Sequence, residues 1–479
     1  MPSYINGKAR PLAPERFFEV INAISGKVVH YAQSASVDDA NAACDAAAAA
    51  FPAWSGLGYW ERRNILLKAA DLMESSAKEI GGMHELETSA THTYGLFGPA
   101  VAAYIIREMA AQLSTAIKGE TMSHGDTRAI VLKQAVGPVL IIPPWNSPSI
   151  LGPRSFAAAL AAGCTIVLKA SELCPLVYRI LVHVFERAGI PSGVINQIQV
   201  RREEAGEVTE ALLAHPAIKK VEFIGSAKIG KIIGQIAAKY TKPIIMELGG
   251  KTPAIVLKDA NLEMAVKNIA FGAFCHHGQI CFSTERIIVV REVADKFICL
   301  LKQEVASKYA NGYGSAATKG FALASQAIVQ DAKDDGAEFL IGDNSLVGPN
   351  KTTLTPTILV GVKRTSLLAD EESFGPSASL YIVDTVDEAV EMANDTAYGL
   401  TATVWTEQDG SPAFDIASRL NYGVVHINAC SVTDLPITPV QGWNGSGWGS
   451  SNAGYAISEF LNTKNITVRP ATSSIQFQA

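Results

Sequence analysis

Hydrophobic residues recur at helical spacing through the first third of the chain, then give way to short unbroken apolar runs. Ser36-Val37-Asp38-Asp39 matches a capping box and predicts an alanine-rich helix stopping near Pro52. Apolar positions three and four apart predict a second helix from Tyr59 to Ile80, ended by Gly81-Gly82, and a third from about Gly95 to Ile117. From Gly137 onward β-branched runs alternate with helical stretches. Val139 to Ile142 precedes Pro153 to Ala162, Thr165 to Leu168 precedes Leu176 to Ala188, Val194 to Val200 precedes Glu203 to Ala214, and Val221 to Ile224 precedes Ile229 to Lys239. Continuously apolar strands are buried on both faces, so this alternation predicts an α/β fold with a doubly wound parallel sheet. Such sheets take ligands outside the carboxyl ends of their strands. A second alternation runs from Ala254 to Leu257 through Leu262 to Phe274, Ile287 to Val290, Leu380 to Val383, Val386 to Ala393 and Leu400 to Val404, ending at Val424 to Ile427. It predicts a second α/β domain. Tyr309 to Gly320 reads as a loop, and Ile466-Thr467-Val468 as a late strand.

A chain of 479 residues is too long for one core and predicts two or three domains. With 48% hydrophobic and 18% charged residues it has material for a large core and too little charge for disorder. The net charge is −6 and the cations are dispersed, which leaves no basic footprint for nucleic acid. No stretch reaches the roughly 18 apolar residues of a membrane span. The first residues lack the apolar core of a signal peptide, and Phe477-Gln478-Ala479 is no organelle address. Seven cysteines, odd in number and without C-x-x-C spacing, predict reduced thiols in the cytoplasm.

Candidate chemistry sits where strands end. In Gly278-Gln279-Ile280-Cys281-Phe282 a single thiol follows a glycine and precedes a β-branched run, so it can serve as a nucleophile at a sheet edge or simply as packing. Pro143-Pro144-Trp145-Asn146-Ser147-Pro148 holds an amide in a proline-stiffened turn, where Asn146 suits a developing oxyanion; one such donor lowers a barrier by about 3 kcal/mol. Glu247, in Met246-Glu247-Leu248-Gly249-Gly250-Lys251, is a carboxylate among apolar residues and suits a general base, although Lys251 is close enough to pair with it. Lys169 and Glu172 follow another strand and can reach a ribose, a carboxylate there favouring NAD over a 2′-phosphate. Gly225, Ser226 and Gly230 follow a third strand and suit a phosphate on helix N-terminal amides. The same stretch nearly spells a P-loop, but Ile232 replaces the hydroxyl a magnesium site needs. Cys275, His276, His277 and Cys281 fit no common zinc spacing, so no metal is expected.

The order of these segments is more specific than any one of them. PWN at 144 to 146, KASE at 169 to 172, GSxxxG at 225 to 230, ELGGK at 247 to 251, GQIC at 278 to 281 and EESFGP at 371 to 376 follow one another. Over essentially its whole length the chain resembles the NAD(P)-dependent aldehyde dehydrogenase superfamily. The resemblance implies Cys281 as nucleophile, Glu247 as general base and Asn146 with the Cys281 amide as oxyanion donors. Thiolate attack would give a thiohemiacetal, hydride loss a thioester, and water activated by Glu247 the acid. It further implies a dinucleotide, NAD with NADP as the other candidate, lined by Pro144, Trp145, Lys169, Glu172, Gly225, Ser226 and Gly230, with Glu372 on the nicotinamide ribose and Phe374 near its ring. The implied division is a dinucleotide-binding domain over 1–119 and 137–246, a catalytic domain over 247–448, and an oligomerisation element over 120–136 and 449–479, hence a homodimer or homotetramer.

Two departures stand out. Gln441 replaces a glycine of the family's usual C-terminal turn, and Asn462 stands where many members carry a glutamate on the proton path. The stretch from Asn146 to Arg154, with Thr93-Tyr94-Gly95 upstream, is similar to the branch acting on benzaldehyde, vanillin and salicylaldehyde. That similarity implies a small-molecule aromatic aldehyde in a flat pocket of Tyr94, Phe97, Ile280 and Phe282, with Tyr94 or Arg154 meeting a ring hydroxyl. The other readings of Arg154 and the pocket are a structural ion pair and an aliphatic or semialdehyde substrate. The competing class is a binding protein that keeps the fold without turnover.

Overall fold

The computed structural model describes residues 1–310, 313–408 and 410–472. Two large sheets carry the two alternations. The first orders its strands as Lys8–Ala9, Tyr4–Ile5, Ile195–Gln199, Ile166–Ala170, Val139–Ile142, Lys220–Ile224, Ile244–Glu247 and Gly447–Trp448. Its five central strands are parallel, and the flanking pairs are antiparallel. Chain order reverses between Val139–Ile142 and Lys220–Ile224, which opens a crevice at the carboxyl ends there. The second sheet runs Glu338–Ile341, Thr357–Val360, Ser377–Val383, Thr284–Val290, Thr252–Val256, Thr401–Trp405 and Val424–Ile427, parallel except at its first strand. Val139–Ile142 and Thr284–Val290 are buried at every position, as strands covered by helices on both faces must be. The fold is α/β, as expected.

A third, antiparallel sheet joins Glu120–His124, Thr127–Ala135 and Leu461–Val468, with Leu461 opposite Ala135 and Val468 opposite Arg128. Glu120–His124 is exposed throughout, and Leu461–Val468 beyond its first residue. Two sequence expectations run past the described residues: the C-terminal element in 473–479, and the loop from Tyr309 in 311 and 312. Among the described residues no helix is long and apolar enough to cross a membrane.

The helical first third needs correction at three points. It opens with an antiparallel hairpin, Phe17–Ile21 against Val28–Gln33. The capping box is formed, Ser36 Oγ accepting from Asp39 N, but the helix runs through Pro52 to Ser55. The proline forfeits the bond its N–H would make to the preceding turn, but its carbonyl accepts from Gly56 N, so the final turn still closes. Gly81 and Gly82 do not end a helix either; they lie inside Ala77–Thr88, and the break falls at Ser76. A Cβ on Gly81 would lie 2.8 Å from the Gly95 carbonyl of the next helix, His92–Ala116. These glycines let two helix backbones touch.

Candidate active site

The Cys281 turn lies between the helix Leu262–Phe274 and the strand Thr284–Val290. His276, His277 and Gly278 are all left-handed, with φ of 50°, 60° and 69°. Such strain persists only where surroundings hold it. The His277 amide donates to Tyr313 O at 2.7 Å, and its Nε2 accepts from Leu354 N at 2.9 Å. The His276 ring stacks on Tyr94, centroids 4.2 Å apart and planes 9° from parallel. A Cβ at Gly278 would meet Gly375 O at 2.1 Å, and one at Gly250 would meet Cys281 O at 2.5 Å. Both glycines are steric necessities of the Cys281 turn.

Cys281 Sγ lies 3.2 Å from Glu247 Oε1 and donates to it. Burial, followed by the Glu247 charge, raises the thiol well above its ordinary value. The group at rest is therefore a thiol with its acceptor in place. Asn146 is 4% exposed, and its Nδ2 donates to Gln279 O at 2.8 Å. An amide nitrogen carries two hydrogens, so one remains for an oxyanion beside Cys281.

Lys251 does not pair with Glu247. Its fully buried ammonium reaches Glu285 and donates to Glu371 O at 2.7 Å. Glu247 is paired instead with Arg154 Nη2, and Arg154 Nη1 lies 3.5 Å from Asp434 Oδ2. This corrects the expectation that Arg154 offers a free guanidinium to a ring hydroxyl. At 2% exposure it is committed to two carboxylates that burial would otherwise leave uncompensated. Tyr94 likewise spends its hydroxyl on Ser147 Oγ.

A cavity of about 570 Å³ opens onto this group. Tyr94, Phe97, Ile280 and Phe282 line it, as do Arg154, Asn146, Glu247 and Cys281. Phe97 is 58% exposed and stands toward solvent, whereas Phe282 is 5% exposed and packs at depth. Phe271, Tyr309, Tyr313 and Asp434 also line the cavity and escape sequence reasoning. Phe271 has the look of a core helix position, the tyrosines fall in a segment without periodicity, and Asp434 reads as a turn acid. Asn462 is exposed on the third sheet opposite Gln134 and does not line the cavity, so its difference from a glutamate does not alter the cavity wall.

The remaining predicted residues gather on the crevice side. Lys169 ends the strand Ile166–Ala170, 9% exposed, with burial lowering its pKa and Glu172 opposing that. Ser226 caps the helix Ala227–Lys239, its Oγ accepting from Ile229 N. A Cβ at Gly230 would lie 2.5 Å from Leu248, so this glycine lets the helix seat on the strand end. Pro144 carries the carbonyl that accepts from Tyr178 at 2.6 Å, which orients the turn holding Trp145. Trp145 stacks on Phe321 at 5.0 Å and meets Phe374 edge-on at 5.8 Å. Phe321 was not foreseen, since nothing local marks it. Glu372 Oε1 accepts from Gly250 N at 3.0 Å; burial and then Glu285 push its carboxyl up to about 8. The helix N-terminus after Gly225-Ser226, a cation at Lys169 and a carboxylate at Glu172 form a donor and acceptor set that fits a dinucleotide. Among the described residues no group of three or more His, Cys, Asp or Glu is arranged to hold a metal ion.

A half-buried thiol against a carboxylate, beside an amide and a dinucleotide-type crevice, defines a cysteine-based oxidoreductase architecture. The sequence profile described as "Aldehyde dehydrogenase family" matches residues 11–466, and the chain belongs to that family. It is 38% identical over 98% of both chains to vanillin dehydrogenase of Pseudomonas fluorescens. A salicylaldehyde dehydrogenase from Pseudomonas putida G7, solved with salicylaldehyde, superposes with a TM-score of 0.95 at 33% identity over 99% of each chain. An NAD-dependent aldehyde dehydrogenase from Sinorhizobium meliloti gives 0.94 at 31% identity, covering 99% of this chain and 96% of its own. An NADP dependent enzyme of E. coli gives 0.93 at 30% over 98% of each. The protein is an oxidoreductase acting on aldehydes, of a family that uses NAD or NADP.

Proposed function

We propose that the chain oxidises an aromatic aldehyde to its carboxylic acid with NAD, using Cys281 as nucleophile, Glu247 as general base and Asn146 as oxyanion donor. The observation that carries this is the 3.2 Å contact between Cys281 Sγ and Glu247 Oε1, at a cavity walled by Tyr94, Phe97, Phe271 and Phe282. The thiol proton passes to Glu247 as sulfur bonds to the carbonyl carbon. The oxyanion is met by the Asn146 Nδ2 hydrogen not used by Gln279 and by the Cys281 amide. A bound nicotinamide supplies the hydride acceptor for the collapse to a thioester. Glu247 releases the thiol proton to solvent and then removes one from water, whose oxygen adds to the thioester carbon; the carbon–sulfur bond breaks, Glu247 returns its proton to sulfur and the acid leaves.

The aromatic substrate is supported by the ring-lined cavity and by relatives named for vanillin and salicylaldehyde. Of the predicted substrate contacts Tyr94, Phe97, Ile280 and Phe282 remain in this reading as pocket walls, and NAD is favoured by Glu172 beside Lys169. Pro144, Trp145, Gly225, Ser226, Gly230, Glu372 and Phe374 complete the cofactor side. The reading includes the division into dinucleotide-binding, catalytic and oligomerisation parts, and a homodimer or homotetramer joined through the exposed edges of the three-stranded sheet. A cytoplasmic location is consistent with seven free cysteines.

The test is NADH formation against salicylaldehyde, vanillin, benzaldehyde, hexanal and succinic semialdehyde, with Cys281→Ala as control. Turnover concentrated on the aromatic members and lost in the control supports the reading. Comparable kcat/KM for hexanal and salicylaldehyde refutes the aromatic assignment.

A further inference from the structure

Glu247 has two carboxylate oxygens and a different partner for each. Oε1 faces Cys281 Sγ at 3.2 Å, and Oε2 is held by Arg154 Nη2. The other arm of the guanidinium lies 3.5 Å from Asp434 Oδ2. Asp434 is anchored in turn, its Oδ1 accepting from Asn452 Nδ2 at 2.6 Å. Asn452 is fully buried and left-handed, φ 70°, at the start of the helix Ala453–Glu459. A chain of charge-assisted contacts thus runs from a rigid backbone position through Asp434 and Arg154 to the base and ends at the nucleophile. Buried Glu222 adds a third acidic group to the field of the same guanidinium.

We propose that Arg154 is a positioning residue, clamped by Asp434 so that Glu247 presents Oε1 to Cys281, and that it is not a ligand for the aldehyde's ring hydroxyl. The inference rests on the assignment of Glu247 as general base. Its reasoning is geometric: a guanidinium is a planar fork that fixes a carboxylate's orientation, which a point charge does less well. Glu247 alone has free torsions; with Oε2 tied to a fork that is itself tied to Asp434, rotation away from the thiol breaks a charge-assisted bond. A general base displaced by about 1 Å loses about 10²-fold in rate.

The test compares Arg154→Met, Arg154→Lys and Asp434→Asn with wild type on benzaldehyde and salicylaldehyde. Benzaldehyde lacks the ring hydroxyl, so a ring-binding role predicts a KM rise confined to salicylaldehyde at unchanged kcat. Positioning predicts about a 10²-fold fall in kcat for Arg154→Met on both substrates alike. It further predicts partial recovery of kcat with lysine, which restores the cation but not the planar fork. Asp434→Asn keeps shape and leaves Arg154 on Glu247; it decides the case if Arg154→Met does not fold, and a smaller kcat loss on both substrates alike is expected. Wild-type kcat in Asp434→Asn and Arg154→Lys, or an effect limited to salicylaldehyde KM, overturns the inference. Failure of wild type on every aldehyde would sink the functional reading instead, so the two failures are distinct.

Discussion

Replacing Lys251 by Met removes the only cation recorded against Glu285 among the described residues and leaves the rest of the Glu247 site in place. Lys251 is 0% and Glu285 2% exposed, and besides the ion pair Glu285 accepts from Ser373 N at 3.0 Å and Phe374 N at 3.3 Å. Deleting one partner of such a pair costs about 3–5 kcal/mol, because a buried charge is left uncompensated. That is a large share of a total stability of about 5–15 kcal/mol. At about 2–4 °C per kcal/mol for cooperative units of 150–250 residues, Lys251→Met should melt about 6–20 °C below wild type at one scan rate. Adding Glu285→Gln removes the stranded charge while keeping acceptors for Ser373 and Phe374, so the double variant should regain at least half of the loss. The segment Glu285 holds carries Glu372 and Phe374, so the single variant should also bind NAD more weakly by tryptophan fluorescence. Its pH–kcat profile should match wild type, since Glu247 is held by Arg154. A melt within 2 °C of wild type, or a double variant no better than the single, would refute the reasoning.

Two further outcomes follow from titration. Burial and the Glu247 carboxylate raise the Cys281 thiol, so iodoacetamide labelling of its peptide, read by mass spectrometry, should be slow at pH 7 and still climbing beyond pH 9; a flat profile between pH 6 and 8 would mean a preformed thiolate. Glu372 is raised from 4.5 to about 8 in the fold, so the folded state holds its proton more tightly than the unfolded chain. The stability this contributes is complete below about pH 4.5 and is lost as pH rises through about 8. Glu372→Gln should therefore gain on wild type in thermal melts across that window and level off above it, and a constant offset would rule the shift out.

What could be read along the chain is what acts locally. The Ser36 capping box, the apolar strands and the glycines at strand ends each leave a signature within a few residues, because hydrogen bonds to the next turn and φ restrictions are local. The order of strand-end motifs pointed to Cys281, Glu247 and Asn146 together, and the fold brings Cys281 and Glu247 to 3.2 Å, with Asn146 on the same cavity wall. What failed was pairing across long sequence distances. Glu247 looked four residues ahead to Lys251, yet its cation is Arg154, 93 positions earlier, and the second carboxylate on that cation is Asp434. Gly81-Gly82 looked like a stop because glycine frees the backbone, but at Gly81 the lack of a Cβ mattered more, since the Gly95 helix fills that space. The turn before the nucleophile shows the same limit from the other side. Two histidines in left-handed conformation are improbable on local grounds, and they are held by Tyr313 O, Leu354 N and the Tyr94 ring, none of them neighbours in sequence. The motif therefore singles out Cys281 as a candidate, whereas the position of its sulfur is a property of the packed fold.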